Sequence, residues 1–431
     1  MKRVLVIAYY WPPSGGSGVQ RWVKFCKYLR QEGWEPVVFA PENADYPSLD
    51  PSFQKELPED LEVLRGRIWE PYAAYRKLTG AKSTEVTEIS SGKKTAKQKL
   101  SLWIRANVFI PDPRVCWVRP SVKTLKAYLA DHPVDVMVTT GPPHSVHLIG
   151  LQLHKELGIP WIPDFRDPWS RMYYLKYLPM TGLTKRMIAD MEQEVLDRSD
   201  AVLTCTPLVQ KEFQAQTKTP VECITNGFDQ EDFIGPAPEP DGNFNITHTG
   251  LFAADGNPLE LWNVLGKMAK ADADFAKALR LRLVGKVDRE VLEAIKAAGL
   301  SDNIVALGPQ DHATAVREQR SATILLLPLR NDPQYRPILP GKLFEYLSAR
   351  RPVLGIGQED GAMAQVLEST KAGITADWDN VAAMHDFLAE AWRQHQNGGV
   401  PQTAGDIGPY SRQATTHALA RLLDRVHNKK G

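Results

Sequence analysis

The sequence predicts an α/β fold made of two parallel-sheet domains. Three observations carry the prediction. The chain opens with a short apolar run, a Gly-rich loop, a helical pattern and a second apolar run, which is a βαβ start. The same alternation returns at 134 and continues to 376. Between these stretches, residues 234–242 read Ile-Gly-Pro-Ala-Pro-Glu-Pro-Asp-Gly, the clearest linker in the chain. The expected division is a first domain over 1–233, a linker over 234–242, a second domain over 243–405, and a last segment over 406–431 whose helix packs back on the first domain.

The length of 431 residues suits two or three domains with sizeable cores. A formal net charge of +1 argues against nucleic acid as a partner. The four cysteines, Cys26, Cys116, Cys205 and Cys223, form neither a C-x-x-C pair nor a zinc-finger spacing. Such sparse use fits a reducing cytoplasm. No apolar run has the length of a membrane span, and the start does not read as a signal peptide. The expected location is cytoplasmic. No repeat of solenoid period is present.

Element by element, residues 4–8 (Val-Leu-Val-Ile-Ala) read as a buried strand. The loop Trp11-Pro12-Pro13-Ser14-Gly15-Gly16-Ser17-Gly18 follows, then a helix over 19–31 with apolar residues at helical spacing, closed by Gly33. The loop matches neither the P-loop nor the G-x-G-x-x-G dinucleotide pattern, yet its amides are placed to meet an anion. An ordinary strand-to-helix turn reads the same way. A strand over 35–40 completes the unit.

Residues 41–130 are the least regular. Residues 65–126 hold fourteen Lys and Arg against four acids, with Trp69, Trp103, Ile104 and Phe109 interleaved. This basic, aromatic-bearing segment suits an anionic membrane surface or an anionic acceptor, and equally a solvated insertion.

Strands are expected over 134–139, 161–164, 201–204 and 221–224, and helices over 145–157, 183–198 and 207–216. Ligands of such sheets sit beyond the carboxyl ends of the strands. His144, Arg166 and Asp167 all fall there. Arg166 and Asp167 are also placed to pair with each other as a structural bridge. The second domain is expected to have strands over 246–249, 281–284, 304–307, 323–327, 353–356 and 374–376.

Residues 337–355 are the most telling stretch. Pro340-Gly341 turns the chain into a short helix whose free amides and positive dipole end suit an anion. Lys342 adds a charge in the first turn, and Glu345 lies one turn on, roughly on the same face. A positive pole suits a diphosphate and a carboxylate beside it suits a ribose diol. A plain βα unit with a surface lysine and glutamate fits the same residues.

Across nearly the whole chain these features resemble glycosyltransferase family 4. The Tyr-Trp-Pro-Pro-Ser-Gly-Gly loop is similar to that family's first Gly-Gly loop. Asp164-Phe165-Arg166-Asp167 resembles the D-x-R-D segment of one branch. Asn226-Gly227-Phe228-Asp229 resembles its N-G-V-D segment, and Pro340 to Tyr346 its donor segment. The resemblance implies a GT-B fold, two Rossmann-like domains facing a cleft, and a retaining, metal-independent transfer from a nucleoside-diphosphate sugar with no other cofactor. It implies a glycan or lipid-linked acceptor in cell-surface polysaccharide or glycolipid synthesis, and a peripheral place on the inner membrane face.

By the same resemblance the donor would meet Gly15, Gly16, Gly250, Gly285, Lys286, Gly308, Arg330, Gly341, Lys342, Leu343 and Glu345. Lys342 would stabilise the leaving diphosphate, while Asp167 and Arg166 would orient acceptor or sugar. His144, Tyr335 and Arg336 would lie on the acceptor and sugar side. Two departures stand out. Pro337 occupies the place of the family's first donor glutamate, and the loop 250–256 carries no Lys or Arg. A sugar-nucleotide epimerase of the same shape and a non-catalytic nucleotide-sugar-binding protein are the competing readings.

Overall fold

A computed structural model of the chain describes residues 1–69, 96–235, 238–239, 241–399, 403 and 405–429. Residues 70–95 of the basic segment, and 236, 237 and 240 of the linker, lie outside the described residues. The chain divides into two compact units, Met1–Thr225 with Thr415–Gly431, and Asn226–Ala414.

The first unit holds a seven-stranded sheet in the order β3-β2-β1-β4-β5-β6-β7. Its strands are β1 (Lys2–Ala8), β2 (Trp34–Pro41), β3 (Glu62–Gly66), β4 (Val136–Gly141), β5 (Trp161–Phe165), β6 (Val202–Thr204) and β7 (Val221–Cys223). Every pairing is parallel. Parallel strands need helical crossovers on both faces, so both faces must be apolar. β1 shows this directly. Leu5 and Ile7 join one core cluster with Val37, Phe39 and Met137. Val4 and Val6 join the opposite cluster with Val38, Val136 and Ile162. The second cluster also takes in Trp22, Val23 and Phe25 from the helix Ser17–Tyr28. That helix runs on as a 3-10 turn and stops at Gly33, whose φ of 82° is the left-handed cap a glycine supplies without strain.

Leu419, Leu422, Leu423 and Val426 of the helix Arg412–Asn428 fill the same cluster. Asp424 of that helix accepts from Lys2 Nζ and from Trp34 Nε1 (3.2 Å), and Arg425 pairs with Glu222 at 2.6 Å.

The second unit holds a six-stranded parallel sheet in the order β10-β9-β8-β11-β12-β13. Its strands are β8 (Phe244–Thr249), β9 (Leu279–Val284), β10 (Ile304–Gly308), β11 (Ile324–Pro328), β12 (Val353–Ile356) and β13 (Gly373–Ala376). Leu281, Leu283, Ile324, Leu326 and Leu354 pack with Trp262, Phe275 and Met384 from the covering helices. Residues 226–233 lie with this unit rather than the first. Phe228 bridges Ser411, and the Arg412 amide donates to its carbonyl oxygen at 2.8 Å.

Three differences from the sequence reading have physical causes. β4 starts at Val136, two residues later than expected, because Asp135 turns its carboxylate onto the Arg3 amide (2.6 Å). β3 lies inside the stretch read as irregular. As an edge strand, Glu-Val-Leu-Arg-Gly has no continuous apolar run to reveal it. The helices Ala96–Asn107 and Val118–Asp131 lie there too, their apolar spacing hidden among lysines and arginines.

Candidate functional site

Each sheet reverses its strand order once, between β1 and β4 and between β8 and β11. Such a switch point opens a crevice beyond the strand ends.

In the second unit β8 ends in Thr247-His248-Thr249 and turns at Gly250, whose φ is 92°. A side chain there would bring its Cβ within 2.6 Å of Lys342 Cε. The glycine thus admits the lysine as well as the turn. Lys342 Nζ donates to the Leu251 carbonyl oxygen (3.3 Å) and to His248 Nε2 (3.5 Å). His248 Nδ1 lies 3.0 Å from the Leu326 carbonyl oxygen and Nε2 lies 3.3 Å from that of Leu251, so the neutral ring donates to one of these two carbonyls. Burial, with Lys342 adding to it, pushes the imidazole down to about 3. Burial also lowers the ammonium to about 8, against the opposing pull of Glu345.

Lys342 sits in the first turn of the helix Gly341–Ala349, which no side chain caps. The Gly341 and Lys342 amides have no acceptor among the described residues. Glu345 accepts from Gln319 Nε2 at 2.9 Å, and the same nitrogen reaches Thr249 Oγ1 at 3.1 Å. Tyr346 Oη accepts from the Thr249 amide (2.9 Å). The end of β8 and the helix Gly341–Ala349 are therefore one hydrogen-bonded assembly.

Gly285 (φ 126°) and Gly308 (φ 65°) close β9 and β10 beside it. The Gly285 amide donates to Gly308 O (2.8 Å) and the Gly250 amide to Val284 O (2.6 Å). Lys286 is exposed next to them. Across the switch point Arg330 pairs with Asp255 at 3.1 Å and lies 5.6 Å from the Tyr335 ring centre. Arg336 sends its guanidinium to Asp360 (2.9 Å) instead. Leu343 is a core side chain whose amide is held by Pro340 O (3.0 Å).

In the first unit the loop after β1 is fixed by Gly15, whose amide donates to Ser48 O at 2.9 Å. Gly16 follows at φ 96° and starts the helix Ser17–Tyr28 with no side-chain cap. Arg166, just past β5, donates to three carbonyl oxygens: Gly141 (2.6 Å), Gly18 (2.5 Å) and Pro142 (3.1 Å). It joins the loops after β1 and β4, and any part it has in chemistry runs through them. Asp167 beside it has no hydrogen-bond partner among the described residues. Burial raises its carboxyl, with Arg166 opposing.

His144 is buried and stacks on Trp169 with ring centres 5.4 Å apart. His147 stacks on Phe165 at 4.5 Å, and Thr139 Oγ1 lies 2.9 Å from its Nδ1. Burial holds His144 well below the usual imidazole range and His147 at about 3.

Beneath them lies a residue cluster that sequence reasoning missed. Asp164 is fully buried and accepts from Arg21 Nε (3.2 Å), Trp22 Nε1 (2.7 Å) and Thr140 Oγ1 (3.0 Å). Arg21 is equally buried and also donates to Thr225 O at 3.0 Å. His248 and Gln319 were missed likewise. The one available signal was polar Thr-His-Thr at the end of an otherwise apolar strand.

The structure thus brings Gly250, Gly285, Lys342 and Glu345 together in the second unit, and Gly15, Gly16, Arg166, Asp167 and His144 around the strand ends of the first. Two parallel α/β units, each with glycines and polar side chains at its switch point, define a protein with two doubly wound α/β units. Residues 15–227 match the glycosyl transferase 4-like domain.

Solved structures with the same fold include sucrose-phosphate synthase from Thermosynechococcus elongatus, 14% identical over 100% of this chain and 98% of that one, with a TM-score of 0.57. The Anabaena protein HepE in complex with UDP-glucose is 11% identical over 100% and 98%, with a TM-score of 0.55. The lipopolysaccharide outer core galactosyltransferase WaaB is 10% identical over 100% of both chains, with a TM-score of 0.58. No curated protein matches the sequence. The chain has the GT-B fold, and the similarity to the glycosyl transferase 4-like domain covers residues 15–227 of it.

Proposed function

We propose that the protein is a retaining glycosyltransferase of the hexosyl type. It moves a sugar from a nucleoside-diphosphate donor to a glycan or lipid-linked acceptor in cell-surface polysaccharide or glycolipid synthesis. It works in the cytoplasm at the inner face of the membrane, without a metal or other cofactor. The observation that carries this reading is the Lys342 ammonium above Gly250, next to two helix-end amides without acceptors.

Glycosyl transfer must stabilise a departing diphosphate, and a preorganised cation with backbone amides does so without reorganising at the moment of reaction. Lys342 has one of its three N–H donors free for this task, and its other two are weakly held. It holds only a carbonyl oxygen and an imidazole nitrogen at 3.3 and 3.5 Å, long bonds that a phosphate oxygen readily replaces. Glu345 holds the ribose, with Gln319 fixing its carboxylate. In a front-face reaction the leaving phosphate oxygen takes the acceptor's proton as the glycosidic bond forms on the face the diphosphate leaves, so no enzymic nucleophile is needed. Asp167, half-buried and without a hydrogen-bond partner among the described residues, receives a hydrogen bond from the acceptor hydroxyl. Arg166 keeps the surrounding loops in place.

The test is product analysis on a panel of sugar nucleotides with and without acceptor extracts, in the presence of EDTA. Nucleotide released in step with acceptor glycosylation supports transfer. Conversion of the donor to an epimeric sugar nucleotide without an acceptor identifies an epimerase. Binding without turnover of any donor leaves a non-catalytic binding protein.

A further inference from the structure

Among the described residues fifteen large apolar side chains are exposed, and seven of them fall on two segments of the first unit. On the helix Ala96–Asn107, Leu102 and Ala106 face inward while Leu100 (61% exposed), Trp103 (46%) and Ile104 (38%) face outward, with Val108 just beyond. The outward set repeats at i, i+3 and i+4, so it is one stripe. The other segment carries Tyr177, Leu183 (69% exposed) and Met187.

These segments are far apart in sequence, and one residue clasps them. Asn107 Nδ2 donates to Pro179 O (2.9 Å), and Asn107 Oδ1 accepts from the Thr181 amide (2.9 Å) and Thr184 Oγ1 (2.7 Å). Every hydrogen-bonding direction of that amide group but one serves the join; the exception is its second N–H, which donates to Trp103 O in its own helix. The chain here has not simply left apolar residues in water; it has fixed them side by side.

The charge around the stripe is predominantly positive. Residues 96–112 and 172–190 contain six Lys and Arg against Asp112 and Asp190. Asp112 is used internally, accepting from the Ser145 amide (2.8 Å) and Oγ (2.9 Å). Asp190 lies 3.8 Å from Arg186. An apolar stripe with aromatic side chains in a cationic rim is complementary to an anionic bilayer, with the aliphatic and indole groups entering the acyl boundary and the cations meeting headgroups. A protein partner of matching surface would more often leave mixed charge at the rim.

The position of the stripe adds a reason. Asp112 ties the end of its first segment to Ser145, next to His144 and the end of β4. The second segment is the continuation of the loop that carries Asp167 after β5.

We propose that this stripe, Leu100-Trp103-Ile104-Val108 with Tyr177-Leu183-Met187, docks the first unit on an anionic lipid bilayer, and that the acceptor reaches Asp167 from that bilayer as a lipid-linked glycan. The second half of the statement rests on the transferase reading above; the docking itself does not.

The test is flotation of the full chain with vesicles of phosphatidylcholine alone or mixed with phosphatidylglycerol, at low and high salt. The wild type floats with the anionic vesicles, and high salt weakens it. Leu100→Glu with Leu183→Glu lowers its vesicle partition by about tenfold or more, since two acyl-facing side chains are lost and two repelling charges gained. Ile234→Glu, at another exposed apolar position, leaves flotation unchanged. Thermal unfolding of both variants checks that they fold.

A wild type that does not float, or a folded double variant that floats as well as wild type, overturns the docking. A wild type that self-associates without lipid, and a double variant that does not, assigns the stripe to a protein partner instead. A protein that floats but turns over no sugar nucleotide would sink the transferase reading alone.

Discussion

Near its switch point the first unit locks Arg21 and Arg166, while the second holds Lys342 only weakly. Arg166 donates to three backbone carbonyl oxygens at 2.5 to 3.1 Å, and Arg21 is sealed against Asp164 with no exposure on either side chain. Both guanidiniums are spent on holding loops in register. Lys342 makes two long contacts, one to a neutral ring, and is driven to about 8 by burial. A fully bonded guanidinium has nothing to offer a ligand. A desolvated ammonium with poor partners is raised in free energy, and an incoming phosphate relieves it. Positive charge near a switch point is therefore not one kind of evidence. What decides its role is how well the protein already satisfies it.

The contrast is sharpest in stability. Arg21→Leu leaves the Asp164 carboxylate buried with only Trp22 and Thr140 as donors, so the expected loss is about 3–5 kcal/mol. Urea unfolding measures it; a loss below 1 kcal/mol, on the order of a surface pair, would mean that the pair is not the structural lock described. Lys342→Ala should behave the opposite way. It removes a cation that folding desolvates, so stability holds or rises slightly, while donor turnover falls by about 3 kcal/mol of activation energy, roughly a hundredfold. Steady-state rates with the active sugar nucleotide test this.

Within the second unit the pH dependence separates stability from donor binding. The folded Lys342 titrates near 8 and the unfolded one near its ordinary 10.5. Between those values the unfolded chain binds more protons, so this group makes stability rise with pH. Donor affinity moves the other way, falling as pH climbs through about 8 because the cation is lost. Thermal unfolding with and without nucleotide across that range should show the ligand's stabilisation shrinking. The smallest effect is expected at Arg336. Its exposed pair with Asp360 at 2.9 Å is worth about 0–1 kcal/mol, and Arg336→Ala should leave donor KM nearly unchanged. A large rise in KM would return that side chain to the site.

Much of this architecture is written in short-range patterns. Continuous apolar runs marked β1 and β12, and the helix Ser145–Leu157 lies where its periodicity put it. The glycines at 250, 285 and 308 were named through the family resemblance, and the positive φ of each at a strand end is the physical reason a glycine stands there. Edge strand β3 escaped because it is neither continuously apolar nor strictly alternating. Partnerships escaped for a different reason. Asp164 with Arg21, His248 with Lys342, and Gln319 with Glu345 lie 143, 94 and 26 residues apart, and nothing local at either end announces the other. Partners distant in sequence also distinguish Arg166, held by the Gly141, Gly18 and Pro142 carbonyl oxygens, from the weakly held Lys342.

Calorimetric titration of a nucleoside diphosphate near pH 8, repeated in buffers of different ionisation enthalpy, tests the central assignment most directly. Lys342 is partly deprotonated there, and a bound diphosphate restores its charge, so wild type should take up a fraction of a proton per nucleotide and Lys342→Ala should take up less and bind far more weakly. Equal affinity and equal proton uptake in the two proteins would contradict the account.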